Sequence, residues 1–384
     1  MYARHILPLG VCLLSVVGSP ALGGSPSFQG LGDLPGGGHK SKAWGLSADG
    51  SVVVGRGWSD NGIEAFRWQS GTMSPLGDLP GGDTLSWARD VSADGSVVVG
   101  FSGSGNGVEA FLWTEPNGMI GLGDLDDGDF ESAAFGISDD GSTVVGSGTS
   151  AAGMEAYVWT EPNGMSGLGD LDGGGFKSTA LDISANGSAV VGWGTSAQGQ
   201  EAFLWTEPNG MVGLGDLDGG GFLSQATATS ADGSVIVGAG RSSFGTEAFV
   251  WENGVMSGLG DFPGGEFLSV ATAVSADGSI VVGYGSTNSG KEAFIWTEED
   301  GMLSVWDVLT DLGVDMTEWG GSRARGVTVN GNTITIIGTA ENGDLDCEAW
   351  IAELPEPASA AILGLAGLVL LRRRPAPGRR RHGI

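Results

Sequence analysis

Residues 92–113 read SADGSVVVGFSGSGNGVEAFLW, and two parts of that stretch decide the architecture. An Asp-Gly pair, Asp94 and Gly95, stands just before the β-branched run Val97, Val98 and Val99, and a Glu-Ala-aromatic-X-Trp phrase follows at 109–113. Asp-Gly between strand-like runs is a strong hairpin signal, because both residues tolerate positive φ. The pair recurs at Asp49-Gly50, Asp140-Gly141, Asp232-Gly233 and Asp277-Gly278, with Asn186-Gly187 and Asn330-Gly331 as equivalents. The aromatic phrase recurs at 64–68, 155–159, 201–205, 247–251 and 292–296, and shortened at 348–350. From Phe66 its aromatic position advances by 45, 46, 46, 46 and 45 residues to Phe294, then by 56 to Trp350. A period of about 46 means that one supersecondary unit is repeated seven times.

Each unit divides into four strand-like pieces, at 86–92, 96–100, 109–113 and 118–125 in the second copy. The piece after the turn is apolar at successive positions, so both of its faces must be covered. In the aromatic phrase Phe111 and Trp113 share one face, and Ala110 and Leu112 the other. Four-stranded sheets with neighbours on both faces are the blades of a β-propeller. The expected fold is therefore all-β, a propeller of about seven four-stranded blades over residues 24–354.

The phase of the array predicts how the ring closes. Residues 28–34 hold a last-strand phrase (Gly30-Leu31-Gly32-Asp33-Leu34) with no unit before it, and the final unit stops at Trp350 to Glu353 without that phrase. The N-terminal piece should then pair into the seventh blade and leave no free edge. Residues 306–321 break the period with about ten extra positions, and a short helix is expected there before Gly313.

The two ends differ from the middle. Arg4 and His5 precede a greasy stretch from Ile6 to Val17 and the small-residue sequence Ala21-Leu22-Gly23, the order of a signal peptide over 1–23. The tail, 355–384, carries Pro355-Glu356-Pro357, then apolar or small residues at 358–371, then Arg372, Arg373 and Arg374, followed by three more arginines. Fourteen helical residues span roughly 21 Å against a hydrocarbon core of about 30 Å, a marginal anchor. The arginines are a stop signal that holds the end in the cytoplasm and leaves the repeats outside.

This tail resembles the PEP-CTERM sorting signal of exported bacterial proteins. The resemblance implies signal peptidase and exosortase as partners, Pro355, Glu356 and Pro357 as the sorting motif, a transient inner-membrane anchor, and release to the cell surface or extracellular matrix. The Leu-Gly-Asp-Leu, Ser-Ala-Asp-Gly-Ser-Val-Val-Val-Gly and Glu-Ala-Phe-X-Trp phrases together resemble HAF repeats, which implies an exported propeller-like domain with no agreed activity. The turn before the apolar strand is also similar to TolB-type propellers, which bears on fold alone.

The chain has 17 basic and 46 acidic residues. Arg4 and the six tail arginines account for seven of the former and Glu356 for one of the latter, so residues 24–355 hold 10 basic and 45 acidic groups, about −35. Such a field repels nucleic acid. Cys347 is the only cysteine left once 1–23 is removed, so no internal disulfide can form.

No nucleophile elbow, zinc spacing, phosphate loop or dinucleotide fingerprint is present. The recurring Glu64, Glu109, Glu155, Glu201, Glu247, Glu292 and Glu348 occur in every unit, as a structural contact would, whereas a catalytic pair should break the symmetry. Asp124 with Asp126, Asp170 with Asp172, and Asp216 with Asp218 place carboxylates two apart in glycine turns and are candidate calcium ligands, with turn capping as the other reading. No other cofactor is expected. The expected function is a non-catalytic surface or matrix binding module, with exopolysaccharide or a surface protein as partner. A polysaccharide-processing enzyme on the same scaffold and a calcium-dependent adhesin are the alternatives.

Overall fold

The computed structural model describes residues 25–342 and 347–355. Four-stranded antiparallel sheets occupy residues 36–77, 81–121, 133–169, 179–213, 219–258 and 269–304, here blades 1 to 6. Blade 7 combines Trp319–Asn330, Thr333–Asn342 and Cys347–Pro355 with the N-terminal strand Ser27–Gly30. The first strand of each blade packs against the first strand of the next, and that of blade 7 packs against that of blade 1, around a central channel. Blades touch through single parallel residue pairs, Ile63 with Leu85, Val108 with Glu131, Gln200 with Leu223 and Thr246 with Leu268. The result is the ring of separate twisted sheets that defines a β-propeller.

The core lies between blades. Phe111 belongs to the layer between blades 1 and 2, where it meets Val52, Val54 and Ala65 with Trp113 beside it, whereas Ala110 and Leu112 belong to the layer between blades 2 and 3. Large and small residues thus alternate across the sheet, as the phrase requires. Phe66, Phe111, Tyr157, Phe203, Phe249, Phe294 and Trp350 are all fully buried.

Closure follows the expected route. Ser27 to Gly30 pair antiparallel with Glu353 to Trp350, and the Leu31 N–H donates to the Ala349 carbonyl at 2.8 Å. Leu31 and Leu34 fill the layer between blades 7 and 1 with Val53, Phe66, Ile337 and Ile351. Phe28 sits among three indoles, with ring centroids 5.4 Å from Trp306, 4.9 Å from Trp319 and 5.6 Å from Trp350.

The Asp-Gly pairs form the expected turns, with positive φ at the glycine alone. Gly50 has φ +75°, but Asp49 stays in the ordinary negative region. Ser47 to Gly50 close a turn by the Gly50 N–H to Ser47 carbonyl bond, and the Asp49 carboxylate accepts from Ser47 Oγ and the Ser51 N–H. The aspartate therefore acts through its side chain, and only the glycine needs the left-handed conformation. These turns also bond one another around the ring: the N–H groups of Ala48, Ala93, Asp139, Ala185 and Ala231 donate to Ala93, Asp139, Ala185, Ala231 and Ala276. At the seam Thr328 Oγ1 and Asn330 Nδ2 donate to the Ala48 carbonyl.

The insertion forms α1 (Val305–Asp311). Ser304 caps it by accepting the Asp307 N–H, Val305, Val308 and Leu309 are buried against blades 6 and 7, and Gly313 at φ +91° follows its end. Among the described residues no helix is long and apolar enough to cross a membrane. The expected signal segment, Glu356, Pro357, the apolar run 358–371 and the arginines Arg372, Arg373 and Arg374 lie outside the described residues. Pro355 ends the last strand, paired with Thr333.

Candidate functional site

Most residues that recur in every unit build the frame. In or just before each first strand lies a buried serine that joins its blade to the preceding one. Ser224 Oγ donates to the Gly215 carbonyl and accepts the Ala202 N–H, and Ser41, Ser86, Ser132, Ser178 and Ser269 make the same two bonds in their own junctions. Ser322 accepts the Ala293 N–H in the same way. These serines went unremarked in the sequence, although they hold a fixed phase two residues before a fixed alanine.

The recurring glutamates are framework as well. Glu109, Glu155, Glu201, Glu247 and Glu348 accept the N–H of Gly123, Gly169, Gly215, Gly260 and Gly32, pinning the turn after the outermost strand. Glu64 and Glu292 accept instead from Ser59 and Ser304.

The structure places Asp124, Asp170 and Asp216 in the same turns, with both oxygens engaged by backbone. Asp216 accepts from Leu217, Arg241 and Leu223, Asp124 from Leu125, Thr149 and Glu131, and Asp170 from Thr195 and Lys177. Asp126, Asp172 and Asp218 are exposed. Among the described residues no three acidic, histidine or cysteine side chains gather as a metal site.

What varies between units faces the channel. Each first strand reads Ser-X-Ala-Y, and the alternation of a strand turns X and Y away from the buried serine and alanine and into the lumen. In blades 3 to 6 these positions are Ala133 and Phe135, Thr179 and Leu181, Gln225 and Thr227, Val270 and Thr272, all uncharged. In blades 7, 1 and 2 they are Arg323 and Arg325, Lys42 and Trp44, Trp87 and Arg89. Arg56 joins them from the neighbouring strand, paired in register with Lys42. Five of the ten basic residues between 24 and 355 thus converge on three adjacent blades, and the sevenfold pattern is broken there.

Aromatic rings hold these cations. The Arg89 guanidinium lies 4.1 Å from the Trp44 ring and that of Arg325 lies 4.4 Å from the same ring. Arg56 lies 3.4 Å from the Trp87 ring, and Arg323 lies 5.4 Å from Tyr284. None of the five cations has a carboxylate in ion-pair range or a side-chain hydrogen bond among the described residues. Burial foremost, then repulsion from Arg325 and Arg56, lowers the Arg89 pKa to about 10, against an opposing attraction from Asp90. Burial is also the leading cause that lowers Arg325, Arg56 and Lys42, and neighbouring cations add to it for Arg325 and Lys42. Three donors beside them, Trp44 Nε1, Trp87 Nε1 and Arg56 Nε, are buried without an acceptor. A cavity of about 300 Å³ opens between Trp44, Arg89, Arg325 and the neutral strands opposite.

Two carboxylates also line this cavity. Asp90 accepts the Val91 and Ile137 N–H groups, and Asp182 accepts the Thr229 N–H, so each links its first strand to the next. Burial foremost, then repulsion from Asp182, raises Asp90 to about 8, and burial raises Asp182 to about 7.

No family model matches the chain, and no curated protein matches it either. Similar solved structures include TolB from Acinetobacter baumannii, at 12% identity and TM-score 0.46, covering 68% of this chain and 61% of that one. A putative TolB from Agrobacterium tumefaciens matches at 12% identity and TM-score 0.38, covering 82% and 90%. The Dos1 propeller matches at 9% identity and TM-score 0.43, covering 82% and 84%. At such similarity the strand order and pairing of this chain carry the architecture.

Proposed function

We propose that this β-propeller is an exported, non-catalytic binding module that captures an anionic ligand at the channel wall formed by blades 7, 1 and 2. One observation carries the reading: in a strongly acidic chain, half of the basic groups between 24 and 355 meet on one side of the channel with no carboxylate in ion-pair range, Asp90 acting on Arg89 only from beyond it. Unpaired buried charge is costly, and an incoming anion would relieve that cost. Signal peptidase and exosortase, acting at the two ends, would deliver the module to the cell surface or extracellular matrix, where an acidic exopolysaccharide is a fitting partner.

Sedimentation of the protein with an acidic exopolysaccharide tests this. The parent should co-sediment and an Arg89→Gln, Arg325→Gln variant should not; equal sedimentation of both would overturn the reading. A second reading, polysaccharide processing, draws on Asp90 and Asp182, which do break the sevenfold symmetry with raised acids. Their hydrogen bonds to backbone favour the structural role, and sugar released in the same tube would favour catalysis. An adhesin that depends on calcium would sediment only with that ion present.

A further inference from the structure

Resting on the anion-binding reading, we infer that the channel takes the carboxylate-bearing end of an acidic saccharide, a uronate, with its carboxylate against Arg89 and Arg325. A guanidinium held over an aromatic face keeps its in-plane N–H donors at its edge, where they match the two oxygens of a carboxylate. Arg89 and Arg325 both lie against the Trp44 ring and line the same cavity.

The rest of the wall selects the remainder of the ligand. Lys42, Arg56 and Arg323, with the Nε1 groups of Trp44 and Trp87, offer donors and no acceptors. A ligand rich in acceptor oxygens, as a sugar acid is, satisfies that wall, and its hydroxyls can donate to Asp90 and Asp182, which line the same cavity. Phe101 and Trp193 pair in register with the inward positions Trp87 and Thr179, and the Phe101 ring lies 5.0 Å from that of Trp87. Aromatic faces suit the C–H surfaces of sugar rings.

Charge density argues for an end group over a polyanion. Exposed Asp126, Asp127, Asp129, Asp172 and Asp218 occupy the loops that precede the first strands. With the net acidic charge of the chain they disfavour a ligand with closely spaced phosphates or sulfates more than one with a single carboxylate. The cavity, about 300 Å³, is at the small end of the range for ligand sites.

Isothermal titration of the full protein with digalacturonate, its methyl ester, inorganic phosphate, inorganic sulfate and a tripeptide with a free carboxylate tests the inference. Digalacturonate should bind, the ester should bind at least tenfold more weakly, and Arg89→Gln or Arg325→Gln should each weaken digalacturonate at least tenfold. Arg241→Gln, exposed at the end of the second strand of blade 5 and away from the cavity lining, should leave it unchanged. Equal binding of the ester, or tighter binding of the tripeptide, would overturn the uronate assignment. Binding of phosphate or sulfate alone would overturn it while leaving anion capture standing. No anion binding at all would remove both.

Discussion

Removing the Phe28 side chain tests how the ring is held shut. Phe28 is half-buried and meets Trp306, Trp319 and Trp350, which form the aromatic end of the cluster shared with α1. Full burial of such a ring contributes about 1.5–3 kcal/mol from area, and each favourable aromatic pair adds about 0.5–1.5 kcal/mol. Because the ring keeps some exposure and its neighbours can relax, Phe28→Ala should cost about 2–3 kcal/mol, below the usual range for a fully buried phenylalanine. For a chain of this size that is a fall in Tm of roughly 4–6 °C. Deleting residues 24–36 removes the four strand pairs and the buried Leu31 and Leu34 as well, so the loss should be far larger. Phe244, 74% exposed, supplies the control, and Phe244→Ser should change Tm by no more than about 1 °C. Circular dichroism melts of the three variants read the result. A Phe28→Ala melt indistinguishable from the parent would refute the account of closure, because the N-terminal strand would then contribute nothing to the ring.

Ser224→Ala should cost about 1–3 kcal/mol, since it leaves the Ala202 N–H and the Gly215 carbonyl unpaired in a buried junction, and a chemical denaturation midpoint equal to the parent's would contradict the role of the serine. Asp90 and Asp182 have folded pKa values raised to about 8 and about 7, so the folded state holds their protons more tightly than the unfolded chain does. Their effect on stability is absent below about pH 4 and becomes a growing loss as pH rises toward 8, so Asp90→Asn should flatten the fall in stability between pH 5 and 8; an unchanged slope would count against it. Asp94, Asp140 and Asp232 are lowered by serine hydroxyl and backbone donors, Asp232 to about 2, so their contribution is present above about pH 4 and is lost as pH falls toward 2. Asp170→Asn should lower Tm equally with and without calcium, because it removes an acceptor for the Thr195 or Lys177 N–H; a calcium-dependent rise in the parent that the variant lacks would support the calcium reading instead.

The frame was legible because its residues recur. Hairpin glycines, the aromatic phrase and the displaced Leu-Gly-Asp-Leu piece each perform one local task in every unit, so periodicity exposed them and the missing seventh strand together. The buried serines were equally periodic, but serine is common in turns, and its staple joins strands that are neighbours only after folding. The candidate site was hidden for the opposite reason. Lys42, Trp87 and Arg323 hold one position in three units, and Trp44, Arg89 and Arg325 another, and neither position keeps a residue type from copy to copy. Only the ring brings blade 7 beside blade 1, so residues almost 300 positions apart become one cationic wall. Symmetry in the sequence marked structure, and the break in symmetry marked the site.

The most direct measurement is the melting temperature of the parent and of an Arg89→Met, Arg325→Met variant, each with increasing digalacturonate. The account expects the variant to melt above the parent without ligand, because two buried charges with no carboxylate in ion-pair range are gone and the methionines keep contact with Trp44. Ligand should then raise the parent and leave the variant unmoved. A variant that melts below the parent and still responds to ligand would contradict the claim that these arginines are held in readiness for an anion.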